Sequence, residues 1–173
     1  KEVSALMTLL QNYLKTSIKK SMKNNVRCRV IGEKSRLSAD IQKAIKDLEE
    51  TTAGNTGLTF TIAINYGSRD EITRAVRKVA EKCVAGQLLP NAITEASIEQ
   101  ELDTAFLPDP DLLIRTCGEQ RISNFLLWQC AYTEFYYTDI AWPDFNKAEL
   151  EKAIAAYGRR DRKYGGLEQD DKE

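Results

Sequence analysis

The sequence predicts a layered α/β domain, with a mostly parallel central sheet flanked by helices. Two observations carry that reading. Residues 26–32 (VRCRVIG) and 58–65 (LTFTIAIN) alternate between two faces with the period of a strand. Before, between and after them lie stretches whose apolar residues recur at helical spacing. Strands separated by helices pair in parallel through right-handed crossovers.

The first element is a long helix over residues 3–24. Val3, Met7, Leu10, Leu14 and Ile18 form one apolar stripe, and Leu6, Leu9 and Tyr13 a second beside it. The resulting arc is wider than a surface helix needs. Either the helix is buried between a sheet and a neighbour, or one stripe packs on the sheet while the other lines an apolar cavity. After the strand at 26–32, Ser38 reads as an N-cap. Ile41, Ile45 and Leu48 then repeat at helical spacing until Gly54. In the strand at 58–65, Leu58, Phe60, Ile62 and Ile64 share one face. The turn Tyr66-Gly67-Ser68 leads into a helix over 69–85 with Ile72, Val76 and Val79 inward.

A short helix is expected at 97–104, followed by a turn marked by Pro108 and Pro110. Residues 112–116 read as a short buried strand. A polar loop then leads to a helix capped by Ser123, with Phe125, Leu126, Trp128 and Ala131 inside. Residues 134–138 form another strand, and Asn146 with Glu149 a capping-box-like start to a last helix burying Leu150, Ile154 and Tyr157. The acidic residues 168–173 are expected to be disordered. No repeat or linker interrupts the chain, so one domain over 1–173 is expected. The first helix opens without a cap, as if cut.

Composition narrows the chemistry. The 173 residues carry a formal charge of -1, so no bulk positive field favours nucleic acid. No apolar run approaches the roughly 20 residues that span a bilayer. Cys28, Cys83, Cys117 and Cys130 form no CxxC pair and read as reduced thiols of a cytoplasmic protein. Histidine is absent, which removes imidazole acid–base catalysis and most zinc sites. Catalysis would have to use carboxylates, arginines, hydroxyls, amides or an oxygen-bound metal.

The segment DLLIRTCGEQRISN, residues 111–124, carries the strongest signal. A strand ends at Arg115, a glycine-bearing loop follows, and a helix is expected from Ser123. Ligands of open α/β sheets sit outside the carboxyl ends of the strands, and helix N-termini attract anions. Arg115 and Arg121 offer planar guanidinium forks for phosphate oxygens, and Ser123 a hydroxyl donor. These residues suit a diphosphate clamp. The alternative is that both arginines only pair with Asp111 and Glu119. Glu134, opening the next strand, suits magnesium, which binds through one or two carboxylates plus phosphate oxygens; the alternative is an ordinary solvated glutamate.

The string RTCGEQRISNFLLWQCAYTEFYYTDIAWPDF resembles the C-terminal signature of cis-prenyltransferases, in particular of undecaprenyl diphosphate synthases. The likeness extends through EVSALM, NVRCRVIG, TAGNTGLTFTIAINYG and RKYGG, in order and over essentially the whole chain. The resemblance implies an enzyme that extends farnesyl diphosphate with isopentenyl diphosphate units, each new double bond cis, to give undecaprenyl diphosphate. The growing chain would thread an apolar tunnel. Arg115, Arg121 and Ser123, with the Ile122 backbone, would hold isopentenyl diphosphate, and Glu134 would help hold magnesium (Mg2+). Leu6, Leu9 and Leu10 would form a tunnel wall, with Leu58 near its closed end. The resemblance also implies a homodimer, with peripheral membrane contact through the lipid product.

Several positions depart from the family pattern. Its N-terminal aspartate followed by Gly-Asn-Gly-Arg-Trp, and its later Ser-x-Glu-Asn-Trp segment, have no match in these residues. The resemblance assigns the allylic pocket and catalytic aspartate to those stretches. No catalytic residue is therefore expected in this chain, which is expected to be inactive as written. Cys117 replaces a glycine, Gln120 a histidine, and Lys163 the arginine of an arginine-x-glycine element. A non-catalytic partner subunit is the other reading. Such subunits typically lose the clamp residues, whereas this chain keeps Arg115, Arg121, Ser123 and Glu134.

Overall fold

The computed structural model describes residues 2–160, with side chains from Leu6 onward. Val3 of the first stripe, Lys163 and residues 168–173 lie outside the described side chains. The chain divides into two compact units. One holds the chain up to Pro108 together with Asn124–Trp128; the other holds Asp109–Ser123 and the chain from Gln129.

In the first unit α1 (Glu2–Lys23), β1 (Arg27–Ile31), α2 (Ala39–Thr52) and β2 (Thr59–Ala63) form the main core. The strands pair in parallel, with Arg27 beside Thr59 and Ile31 beside Ala63. Cys28 and Val30 point from β1 onto Leu14 of α1 and Ile41, Ala44, Ile45 and Leu48 of α2. The helix α1 ends because Asn25 turns left-handed at φ 53°, which lets Val26 N–H reach Ser21 O and Asn25 N–H reach Met22 O. This is a Schellman closure, with asparagine at the position usually held by glycine. On the other side of β1, α2 satisfies backbone groups that β2 does not. Cys28 N–H donates to Thr52 Oγ1 at 3.0 Å, and Val30 N–H to Glu49 Oε1 at 2.8 Å. Such side-chain acceptors keep an unpaired strand edge from exposing its donors. Ser38 is the backbone N-cap of α2, although its hydroxyl makes no cap bond.

The α1 arc divides cleanly. Leu14 is buried and Met7, Leu10 and Ile18 pack beside it, whereas Leu6, Leu9 and Tyr13 are exposed. Of the two readings of this helix, burial on both stripes is the one the structure does not show.

The unit continues through α3 (Ser68–Val84) and the short α4 (Glu95–Glu99), capped by Thr94. Val76 was expected inward and is exposed. The inward line of α3 is Ser68, Glu71, Ala75 and Val79, with Ile72 half-buried. Polar residues occupy that line because they are satisfied there. The Glu71 carboxylate accepts from Tyr66 Oη at 2.5 Å and from Asp103 N–H at 2.9 Å. Burial and Glu71 together push the Tyr66 hydroxyl strongly up.

In the second unit β3 (Leu112–Arg115) and β4 (Glu134–Tyr137) pair in parallel, Leu112 beside Glu134 and Arg115 beside Tyr137. Both strands are only partly buried, so residues 112–116 are not the buried strand expected. The helix α5 (Lys147–Gly158) is capped by Asn146, whose Oδ1 accepts from Ala148 and Glu149 N–H. Glu149 itself turns to Lys152. Ala153 is the buried residue of α5 and Tyr157 is half-buried, while Leu150 and Ile154 are exposed, contrary to expectation.

No regular helix follows Ser123. Residues 123–132 run through turns and bends, with Ser123, Asn124 and Leu126 left-handed at φ 49°, 63° and 48°. Left-handed residues cannot start a right-handed helix. Phe125 and Ala131, expected inside, are exposed.

Asp103 ties the first unit together. Its carboxylate takes both Arg74 Nη atoms at 2.8 Å and Gly32 N–H at 2.9 Å. Burial alone would raise its pKa, but the Arg74 and Gly32 hydrogen bonds prevail and hold it low. Stability from a depressed carboxylate is complete above its unfolded pKa and is lost as pH falls through the lower folded value. Asp103→Asn should lower unfolding free energy by about 1.5–3 kcal/mol at neutral pH. Urea denaturation at pH 7 and pH 3 should show the difference from wild type shrinking at the acid end.

Candidate functional site

The loop after β3 is built by two consecutive left-handed residues, Cys117 at φ 63° and Gly118 at φ 67°. They turn two N–H groups onto the chain that follows β4. Cys117 N–H donates to Ile140 O at 3.0 Å, and Gly118 N–H to Thr138 O at 2.9 Å. At φ 67° Gly118 avoids the strain a side chain would add, and a Cβ there would also stand 2.9 Å from the end of the Asp139 side chain. Cys117 accepts the left-handed geometry at a cost of about 1–2 kcal/mol. Both backbone bonds form with the cysteine in place.

This turn gathers Arg115, Glu119 and Arg121. The Glu119 carboxylate is shared, its Oε2 taken by Arg115 Nη2 and its Oε1 by Arg121 Nη2 at 2.7 Å. The Arg115 hydrogen bond, then that of Arg121, holds Glu119 below the usual carboxylate range. The Arg121 side chain is 66% exposed and that of Arg115 31%, so both remain open to an incoming anion. Ser123 is exposed and Ile122 half-buried. Asp111, considered as a partner of the arginines, accepts from Tyr157 Oη at 3.4 Å.

Glu134 is not part of this cluster. The register sets it beside Leu112, three positions from the level of Arg115 and on the opposite face of the strand pair. Its carboxylate is held by Arg160 Nη1, while Arg160 Nη2 donates to Phe135 O at 2.8 Å. No cluster of three metal-ligating side chains occurs among the described residues.

The first unit carries a separate apolar feature, a cavity of about 310 Å³ lined by Tyr13, Leu58, Phe60 and Ile62 among others. The shared face of β2 and its flanks grades from open to closed, with Leu58 69% exposed, Phe60 42% and Ile64 8%. Of the four leucines expected to line a tunnel, Leu58 reaches this cavity. Leu6 and Leu9 lie exposed on the α1 stripe that contains Tyr13, and Leu10 packs against the core. Phe60 was missed as a lining residue, although its place on the Leu58 face marks it. A second, polar cavity of about 210 Å³ is lined by Arg29, Lys34, Glu49 and Asp103. Lys34 there pairs with Glu49, and Asp103 with Arg74. Among the described residues no helix is long and apolar enough to cross a membrane.

Comparison with known proteins identifies the family of the chain. Residues 1–165 match the family model of undecaprenyl diphosphate synthase-type prenyltransferases. The chain is 49% identical over 166 residues to an isoprenyl transferase of Agrobacterium fabrum, covering 96% of this chain and 67% of that protein. It is 48% identical over 170 residues to the farnesyl-diphosphate-specific ditrans,polycis-undecaprenyl-diphosphate synthase of Escherichia coli K12, covering 98% and 67%. The chain thus spans about two thirds of the length of these relatives. Among solved structures, lavandulyl diphosphate synthase from Lavandula x intermedia, in complex with dimethylallyl diphosphate, superposes with a TM-score of 0.92. Its identity is 43%, over 95% of this chain and 72% of that one. A probable undecaprenyl diphosphate synthase from Campylobacter jejuni gives 0.84 at 38% identity, over 95% and 75%.

One residue of the signature has a structural duty the sequence did not reveal. Asn124 Oδ1 accepts from Arg69 N–H at 2.9 Å, and its carbonyl from Ser68 N–H at 2.8 Å, which caps α3 from a distant segment. Asn124→Ala should lower stability by about 1 kcal/mol, the usual loss for an N-cap, measured by chemical denaturation.

Proposed function

The chain belongs to the undecaprenyl diphosphate synthase-type family of cis-prenyltransferases, and we propose that its arginine loop holds the diphosphate of isopentenyl diphosphate for condensation onto farnesyl diphosphate. The observation that carries this reading is the convergence of two guanidinium forks, Arg115 and Arg121, on one anion beyond the carboxyl end of β3. Carboxylate and phosphate present similar oxygen pairs to a guanidinium, so a geometry that seats Glu119 suits a diphosphate. Ser123 adds a hydroxyl on the same loop, and the Ile122 backbone lies between them in sequence.

These residues bind and orient. Fixing the diphosphate restricts where the isopentenyl double bond can meet the allylic carbon, which lowers the entropic part of the barrier. The growing product would lie along apolar surface, with the exposed α1 stripe of Leu6, Leu9 and Tyr13 and the Leu58–Phe60 end of the β2 face as candidate walls. An undecaprenyl product is a lipid, so contact with a membrane surface belongs to the proposal, as does assembly into a homodimer.

Magnesium is part of the same reading. A single, partly exposed carboxylate such as Glu134 suits an ion that takes its other ligands from phosphate oxygens and water. Bound there, the ion would neutralise charge on a diphosphate brought within its reach, whereas the register sets Glu134 on the face opposite Arg115. Glu134 would first have to release Arg160. Retention of Arg115, Arg121, Ser123 and Glu134 favours this reading over a non-catalytic partner subunit.

Steady-state kinetics of Arg121→Ala in a full-length enzyme that carries the family's N-terminal motif, with each substrate varied, tests the assignment. Loss of one charged hydrogen-bond set should raise the KM for isopentenyl diphosphate roughly tenfold to a hundredfold. The KM for farnesyl diphosphate should stay nearly constant. An unchanged KM for isopentenyl diphosphate would show that Arg121 does not hold it.

A further inference from the structure

We propose that Glu119 is a built-in counter-anion of the diphosphate clamp, which an incoming diphosphate must displace and which thereby sets what the clamp accepts. The inference rests on the clamp reading above and adds a residue that sets how strongly an anion must bind to occupy the clamp.

Two positive groups close together on one short loop repel unless an anion sits between them. Glu119 supplies that anion from within the loop, one carboxylate oxygen to each guanidinium. The side chain is about one-third exposed, 35%, so the carboxylate can turn out to solvent without opening a core. Both arginines hold it ionised. Any ligand anion therefore meets a clamp whose two positive charges are already half compensated.

The outcome of that competition depends on ligand charge. A singly charged anion gains little by exchanging with a carboxylate that is covalently tethered at high effective concentration. A diphosphate brings several negative charges and more acceptor oxygens than Glu119 offers, so it can take over both forks at once. Glu119 thus acts as a threshold, admitting diphosphates and holding off inorganic phosphate or chloride. The forks also stay aligned while the site waits.

Glu119→Gln keeps the size and a hydrogen-bonding oxygen but removes the competing charge. Isothermal titration at low ionic strength, with inorganic diphosphate and inorganic monophosphate as probes, compares this variant with wild type and with Arg121→Ala. Glu119→Gln should bind diphosphate at least about threefold tighter, the order expected for an exposed charge contact. Its gain for monophosphate should be of similar size, because both anions displace the same carboxylate. Unchanged or weaker diphosphate binding in Glu119→Gln, with binding lost in Arg121→Ala, would overturn the counter-anion and leave the clamp standing. No diphosphate binding by the wild type would overturn both.

Discussion

Arg115 and Arg121 meet on one carboxylate, Glu119, and the surrounding structure positions all three. The strand pair β3–β4 fixes Arg115 at the end of β3. The left-handed pair Cys117 and Gly118 reverses the chain, so that Glu119 and Arg121 return toward it. Two N–H groups donated to the Thr138 and Ile140 carbonyls hold the reversal against the chain after β4. The anion site is therefore a product of backbone geometry as much as of the arginines. A helix N-terminus, which sequence periodicity invited, takes no part in it.

The strands and most helices were legible because their signals are local. Alternation placed β1 and β2, the crossover rule gave parallel pairing, and helical spacing gave α2 with its buried Ile41, Ile45 and Leu48. What failed depended on partners far away in sequence. Residues 123–132 read as a helix, yet Asn124 spends its polar groups on Ser68 and Arg69, and Ser68 Oγ takes Leu127 N–H. On α3, Glu71 took the inward line with Ala75 and Val79, while apolar Val76 faces out. Tyr66 lies five residues before Glu71, but the Asp103 N–H that also satisfies it comes from 32 residues further along the chain.

The candidate site was legible to a similar degree. Arg115 and Arg121 were named from a motif, and so was Glu119 as their alternative partner; the structure makes the partner part of the site. Glu134 shows the limit of reading proximity from sequence. It lies in the strand paired with that of Arg115, yet register and pleat set it on the other face, against Arg160. The wide arc of α1 was ambiguous as a pattern. Its division into a packed stripe, with Leu14 and Leu10, and an exposed stripe, with Leu6, Leu9 and Tyr13, settles that helix.

The central claim is that the Arg115–Arg121 loop is a diphosphate site entered by displacing Glu119. A crystal structure of the protein with isopentenyl diphosphate and magnesium, without an allylic substrate, tests it directly. The account predicts diphosphate oxygens within about 3 Å of both guanidinium groups, the usual charged hydrogen-bond distance, with the Glu119 carboxylate turned away. A diphosphate bound elsewhere, or one bound while Glu119 still joins the two arginines, would contradict it.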